Sequence, residues 1–149
     1  GELLLSPAAM LTLYCAAAYD GSYALPTAVS GTLSGGRFTP VSERGRTRVM
    51  SAKTAKKLRE YLSAVITEGT GTAARPKFVS AAGKTATAQT GKFQNGTEIC
   101  EGWFCGFFPT EKPEYTVIVF SENTAEQTKS CGEVFAEIAD GITALKGDN

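Results

Sequence analysis

Apolar and polar positions fall into three regimes along this chain. From Ala8 to Tyr19 only Thr12 is polar, so a helix there is apolar all round and should be buried on most sides. Ser6-Pro7 is a good start for it, because a Ser hydroxyl accepts from first-turn amides and Pro is tolerated at the first helical position. Asp20-Gly21 ends it. Leu25 to Val41 is rich in Gly, Thr and Ser and contains Pro26 and Pro40. That is an extended connection with at most a short hairpin around Ser34-Gly35-Gly36. A second helix, capped by Ser51, should run to about Glu68. Ala52, Ala55, Leu58, Leu62, Val65 and Ile66 recur at three- and four-residue steps, while Lys53, Lys56, Lys57, Arg59 and Glu60 take the opposite face. Gly69 stops it, and Gly69-Thr70-Gly71-Thr72 reads as a flexible turn.

The period then changes. Ala82 to Thr90 alternates small and Thr/Gln residues, as a half-buried strand does. Asn95-Gly96 signals a tight hairpin. Trp103, Cys105 and Phe107 fall on one face of the next strand and Phe104 and Phe108 on the other, so both faces should be covered. Pro109 to Pro113 is a turn, and Tyr115 to Phe120 is a β-branched, apolar strand. Ser130 with Glu133 makes a capping box, opening a helix with the stripe Val134, Phe135, Ile138, Ile142 and Leu145. The predicted fold class is α/β (α+β), an antiparallel sheet of about three strands flanked by helices.

Composition narrows the chemistry. The chain has 149 residues, 15 Lys+Arg, 15 Asp+Glu, four Cys and no His. Without His, neither Ser-His-Asp nor Cys-His activation is available, nor any zinc site that needs imidazole. Catalysis would need Ser, Thr, Lys, carboxylates or backbone donors. The zero net charge averages two opposed regions. Arg37 to Glu60 carries eight cations, including Arg44, Arg46 and Arg48, whereas Phe93 to Asn149 carries three Lys against ten carboxylates. The basic stretch fits either a solvated loop and helix face or a contact with an anionic partner. No aromatic interleaving supports nucleic acid. Cys15 and Cys105 lie in apolar runs and read as core residues. Cys100 and Cys131 have more polar neighbours and are free to pair or not, and no C-x₂-C spacing points to a metal. The Ala8–Tyr19 run is too short to cross a bilayer. The abrupt start at Gly1-Glu2-Leu3 reads as an internal piece of a longer protein.

The chemistry-bearing segment is Ala82-Gly83-Lys84-Thr85-Ala86-Thr87-Ala88-Gln89-Thr90. Gly-Lys-Thr could end a phosphate-binding loop, but the Gly needed five residues earlier is Phe78 and a strand follows instead of a helix. Ala82 to Gln89 resembles the A-G-K-T-G-T-A-Q strand of penicillin-binding transpeptidases, with Ala86 in place of Gly. Leu58 to Gly71 resembles the helix and G-T-G turn before that strand. Leu5-Ser6-Pro7 with Met10 resembles the S-P-x-x-M helix, and Trp103 to Pro109 with Pro113-Glu114-Tyr115 resembles the F-x-G-F-x-P, P-x-Y strand pair.

The resemblance implies a penicillin-binding protein/serine β-lactamase-like fold, closest in kind to the high-molecular-weight D,D-transpeptidases. Residues 1–149 would be a C-terminal segment of that domain. The family attacks a D-alanyl-D-alanine stem peptide with a Ser activated by Lys, uses no cofactor or metal, and also takes β-lactams. It works on the outer face of the bacterial membrane, where the parent is anchored, in peptidoglycan synthesis. Lys84 and Thr85 would hold the substrate carboxylate, Lys84 as fixed charge and Thr85 as hydroxyl donor. The Thr87 N–H would be one oxyanion-hole donor. Ala86 would put a methyl where substrate approaches the strand. Lys84 alone also fits a solvent-facing lysine that discourages edge pairing.

No Ser in the chain is followed by Lys at the third position. Thr54 with Lys57 and Thr143 with Lys146 fit T-x-x-K but suit helix faces. Ser121-Glu122-Asn123 spells S-x-N on the wrong side of the Lys84 strand. The expectation is therefore a segment without its nucleophile, inactive alone; the alternative is a stand-alone binding module on the same scaffold. The family's sheet has five strands, so the Tyr115–Phe120 edge would lie open and favour a homo-oligomer. Asn95-Gly96-Thr97 also matches a glycosylation acceptor.

Overall fold

The structure, a computed structural model, describes residues 4–42 and 45–147. Arg44 lies outside the described residues. The first helix, α1, spans Pro7–Ala18, and the Ser6 hydroxyl accepts from the Ala9 N–H at 3.2 Å. Two short strands, β1 (Ser22–Tyr23) and β4 (Thr47–Arg48), pair with each other. Between them β2 (Gly31–Ser34) and β3 (Arg37–Pro40) form the hairpin anticipated at Ser34-Gly35-Gly36, with both turn glycines at positive φ. Helix α2 spans Ala52–Thr67 and is capped by Ser51, whose hydroxyl accepts from Thr54 N–H at 3.0 Å.

The main sheet has the order β5-β6-β7, antiparallel throughout. β5 covers Ala82–Gln94, β6 Thr97–Phe108 and β7 Tyr115–Ser121. Asn95 at φ 51 and Gly96 at φ 80 turn β5 into β6, the left-handed pair that a two-residue hairpin requires. β5 runs four residues past Thr90 because a bulge between Gln89 and Phe93 absorbs the polar stretch. The Glu98 carboxylate stitches that bulge, accepting from Gly91 N–H at 3.1 Å and the Gln89 amide at 3.0 Å. Helix α3 covers Cys131–Gly147. Its capping box forms as the letters indicate: Glu133 N–H donates to the Ser130 hydroxyl at 3.2 Å, and Ser130 N–H donates back to the Glu133 carboxylate at 2.7 Å.

Both faces of β6 are covered. Phe104 and Phe108 join Ile66 of α2 and Phe135 and Ala139 of α3 in one core cluster. Phe107 joins Ala17 and Ala18 of α1 and Leu62 of α2 in another. The sheet is thus a layer between α1 and α3, with α2 beside β5.

Three expectations need correction. Helix α1 is buried only at Ala16–Ala18, and Leu13 is 50 % exposed. An all-round apolar surface marks what a helix can bury; here only the last turn is fully buried, while Tyr14 and most of the earlier turns are half-buried. On α3, Phe135 of the predicted stripe is fully buried and Ile142 packs against the core, but the rest of the buried line is Cys131, Gly132 and Ala139, and Leu145 is 71 % exposed. Small side chains on either side of Phe135, at Cys131 and Ala139, complete the buried line, and a pattern that counts large apolar residues misses them. Cys131 accordingly lies in the core in spite of its polar neighbours, because Ser130 and Glu133 satisfy each other. All four cysteines are free thiols, so Cys100 and Cys131 are not bridged.

Candidate active-site strand

Lys84, Thr85, Ala86 and Thr87 lie consecutively on β5, opposite Cys105, Phe104, Trp103 and Gly102 of β6. β5 is an edge of its sheet among the described residues. A continuous strand through Lys84-Thr85 also disposes of the phosphate-loop reading, which needs a helix there. Gly83 is buried because a Cβ there would lie 2.6 Å from the Cys105 carbonyl oxygen and 2.6 Å from the Phe104 ring. The strand is therefore seated tightly just before Lys84.

Side-chain alternation sends Lys84 and Ala86 to the face shared with Cys105 and Trp103. On that face a groove of about 500 Å³ opens, walled by Lys84, Thr85, Ala86, Trp103 and Glu101 and by Met10 and Tyr14 of α1. Thr87 is exposed one position beyond and is not part of this wall. A larger recess of about 710 Å³ lies between α2 and residues 75–81, away from Lys84, and contains none of the predicted site residues.

The Lys84 ammonium is solvent-exposed but not loose. It donates to the Thr85 carbonyl at 2.7 Å, to the Thr85 hydroxyl at 3.2 Å and towards the Thr70 hydroxyl at 3.5 Å. A fixed cation beside a hydroxyl, on an open strand edge, offers the kind of donors a carboxylate pairs with. The groove wall also carries a thiol, Cys105, and a phenol, Tyr14. Burial, with a smaller contribution from Cys131, pushes the Cys105 thiol up to about 11, and burial together with Cys105 pushes the Tyr14 phenol up to about 12. Both stay protonated at neutral pH, and only a thiolate attacks well.

The T-x-x-K pairs are helix-face residues, as expected. Thr54 shares its hydroxyl with Ser51 at 2.8 Å, Lys57 pairs with Glu60 at 3.1 Å, Thr143 donates to Ala139 O at 2.7 Å, and Lys146 pairs with Glu114. Ser121 ends β7, and Asn123 caps the short turn Thr124–Glu126. Three arginines of the basic stretch have structural partners around the end of α1. Arg48 pairs with Asp20 at 2.7 Å, Arg46 stacks 3.9 Å over the Tyr19 ring and donates to Ser22, and Arg59 donates to the carbonyls of Ala17, Ala18 and Tyr19. These contacts favour the loop-and-helix-face reading of that stretch.

Comparison with known proteins decides the family. The model of the penicillin binding protein transpeptidase domain matches residues 1–142. The chain belongs to the penicillin-binding protein transpeptidase family. Stage V sporulation protein D of Bacillus subtilis is 33 % identical over 107 residues, 70 % of this chain and 16 % of that protein. The peptidoglycan D,D-transpeptidase MrdA of Acinetobacter baumannii is 40 % identical over 77 residues, 45 % of this chain and 12 % of that protein. Among solved structures, penicillin binding protein 3 of Mycobacterium tuberculosis, complexed with ampicillin, superposes with a TM-score of 0.83 at 26 % identity, covering 96 % of this chain and 35 % of that one. The three-stranded sheet with its helices is therefore part of a transpeptidase fold, and the chain spans well under half the length of the relatives it matches. No helix among the described residues is long and apolar enough to cross a membrane.

Two groove residues, Tyr14 and Glu101, had no signal in the sequence, since only the fold brings α1 over the strand. Gly69-Thr70-Gly71 indicated a turn, but only the fold shows that the Thr70 hydroxyl faces Lys84.

Proposed function

We propose that this chain is the C-terminal part of a D,D-transpeptidase domain and supplies its carboxylate-binding strand. The single observation that carries the reading is the Lys84 ammonium held beside the Thr85 hydroxyl on the open edge of β5, next to a groove with Ala86, Trp103, Met10 and Tyr14 on its wall. The carboxylate of a D-alanyl-D-alanine stem peptide, or of a β-lactam, would pair with Lys84 and accept from Thr85. The Thr87 N–H would supply one donor to the oxyanion formed when a Ser from outside these residues attacks the carbonyl. Such a donor typically contributes about 3 kcal/mol of transition-state stabilisation.

The reaction needs an activated hydroxyl that these residues do not offer: no S-x-x-K occurs in the sequence, and the neighbouring thiol and phenol are held neutral. The isolated chain is therefore inactive, and the parent cross-links peptidoglycan outside the cell membrane. Incubation with a fluorescent penicillin and denaturing electrophoresis tests this. The whole protein should carry a covalent label and the 149-residue chain none; a labelled band for the isolated chain would refute it.

The isolated chain also associates with itself. β7 pairs only with β6 among the described residues, and its β-branched outer edge is a template for strand pairing. Light scattering at micromolar concentration should give a mass above that of one chain, and a stable monomer would argue against it.

A further inference from the structure

We infer that Thr70 is a positioning residue for Lys84, so that the turn after α2 sets where the substrate carboxylate is held. This rests on the carboxylate-binding role proposed for Lys84. A lysine ammonium has three N–H donors on a flexible stem. Two acceptors of Lys84, the carbonyl and the hydroxyl of Thr85, belong to the adjacent residue and travel with the strand. The Thr70 hydroxyl, at 3.5 Å and fourteen residues away in sequence, is the acceptor that refers the ammonium to another element. That distance is the outer limit of a hydrogen bond, so the contact guides the lysine without trapping it, and a carboxylate can still displace it.

The turn that carries Thr70 is built to hold it still. A Cβ at Gly69 would lie 2.8 Å from Val65 Cα, and one at Gly71 would lie 3.0 Å from Val65 Cγ1. Both glycines thus press against the last turn of α2, and Gly71 N–H donates to the Val65 carbonyl at 2.9 Å. Gly71 is buried while Thr70 between them is exposed. The flexible turn expected from composition is instead a fixed mount. α2 is anchored in turn, because Arg59 reaches the carbonyls at the end of α1.

The test uses the whole protein and benzylpenicillin. Thr70→Val keeps the shape but removes the hydroxyl. It should weaken the apparent binding step by about three- to tenfold, the range of one ordinary intramolecular hydrogen bond, since 3.5 Å is too long for a full charge-assisted one. The first-order acylation constant should be retained, and Thr70→Ser should restore binding. In a Lys84→Gln background Thr70→Val should add nothing, since its effect passes through the ammonium. Thr70→Ala repeats the comparison if the Val variant melts early. Unchanged binding in Thr70→Val, with Lys84→Gln impaired, overturns the role of Thr70 and leaves the proposed function standing. An equal loss in both backgrounds makes Thr70 a scaffold residue and overturns it as well. Wild-type binding by Lys84→Gln removes the proposed function, and this inference with it.

Discussion

Ala86 is the one place where the strand departs from the transpeptidase pattern, and its methyl group can be removed cleanly. Ala86 faces the groove, exposed, directly opposite Trp103. No part of this chain needs the methyl for packing, so its effect falls on whatever lies along the strand. Glycine is used where another backbone must come close. One surplus methyl at a packed contact costs about 1–3 kcal/mol, and an open groove can relax, so the lower end applies. About 1 kcal/mol off the barrier is about fivefold in rate. Ala86→Gly in the whole protein should therefore raise the second-order acylation constant by about fivefold, followed by stopped flow with a chromogenic cephalosporin. The same change costs about 0.5–1 kcal/mol of strand stability, which should appear as a lower melting temperature without slowing acylation. An unchanged or slower rate would refute the crowding argument and mean that substrate does not approach the strand at this position.

Other consequences follow from the core and from the loop after α1. Phe135 is fully buried, with ring centroids 4.6 Å from Phe104 and 5.9 Å from Phe108. Phe135→Ala should destabilise the fold by about 3–5 kcal/mol, read as a lower urea midpoint, and an unmoved midpoint would contradict the core assignment. Hydrogen bonds from Ser22 and then Arg48 hold the Asp20 carboxyl down at about 2, from 3.8. A lowered folded pKa gives stability that is complete above the unfolded value and is lost as pH falls through the folded one. Thermal stability should thus decline between about pH 4 and pH 2. Asp20→Asn should flatten that part of the profile; an identical acid profile in the variant would exclude the Asp20 cluster as its source.

Local chemistry made most elements readable before any coordinates. The Asn95-Gly96 hairpin, the Ser130/Glu133 box and the Ser6 and Ser51 caps each satisfy backbone demands within a few residues, so their letters suffice. What escaped depended on distant partners. The β1–β4 pair joins segments about 25 residues apart with two residues on each strand, too short for any periodicity. The exposure of α1 could not be read from its own composition, because burial is decided by which neighbours arrive. Cys131 and Ala139 look unremarkable in sequence, yet they complete the buried line of α3. At the site, Lys84 and Thr85 stood out through their flanking motif, while Thr70 and Tyr14 acquired meaning only when the turn and α1 were placed beside β5.

The most direct measurement is the position of the covalent adduct. Digestion and mass spectrometry of the whole protein after benzylpenicillin treatment should place a single acyl group on a Ser outside these 149 residues. The Lys84→Gln protein should carry that adduct at the same Ser, but acquire it more slowly. An adduct on any residue of this chain would contradict the assignment of its strand as the carboxylate holder for a nucleophile supplied from elsewhere.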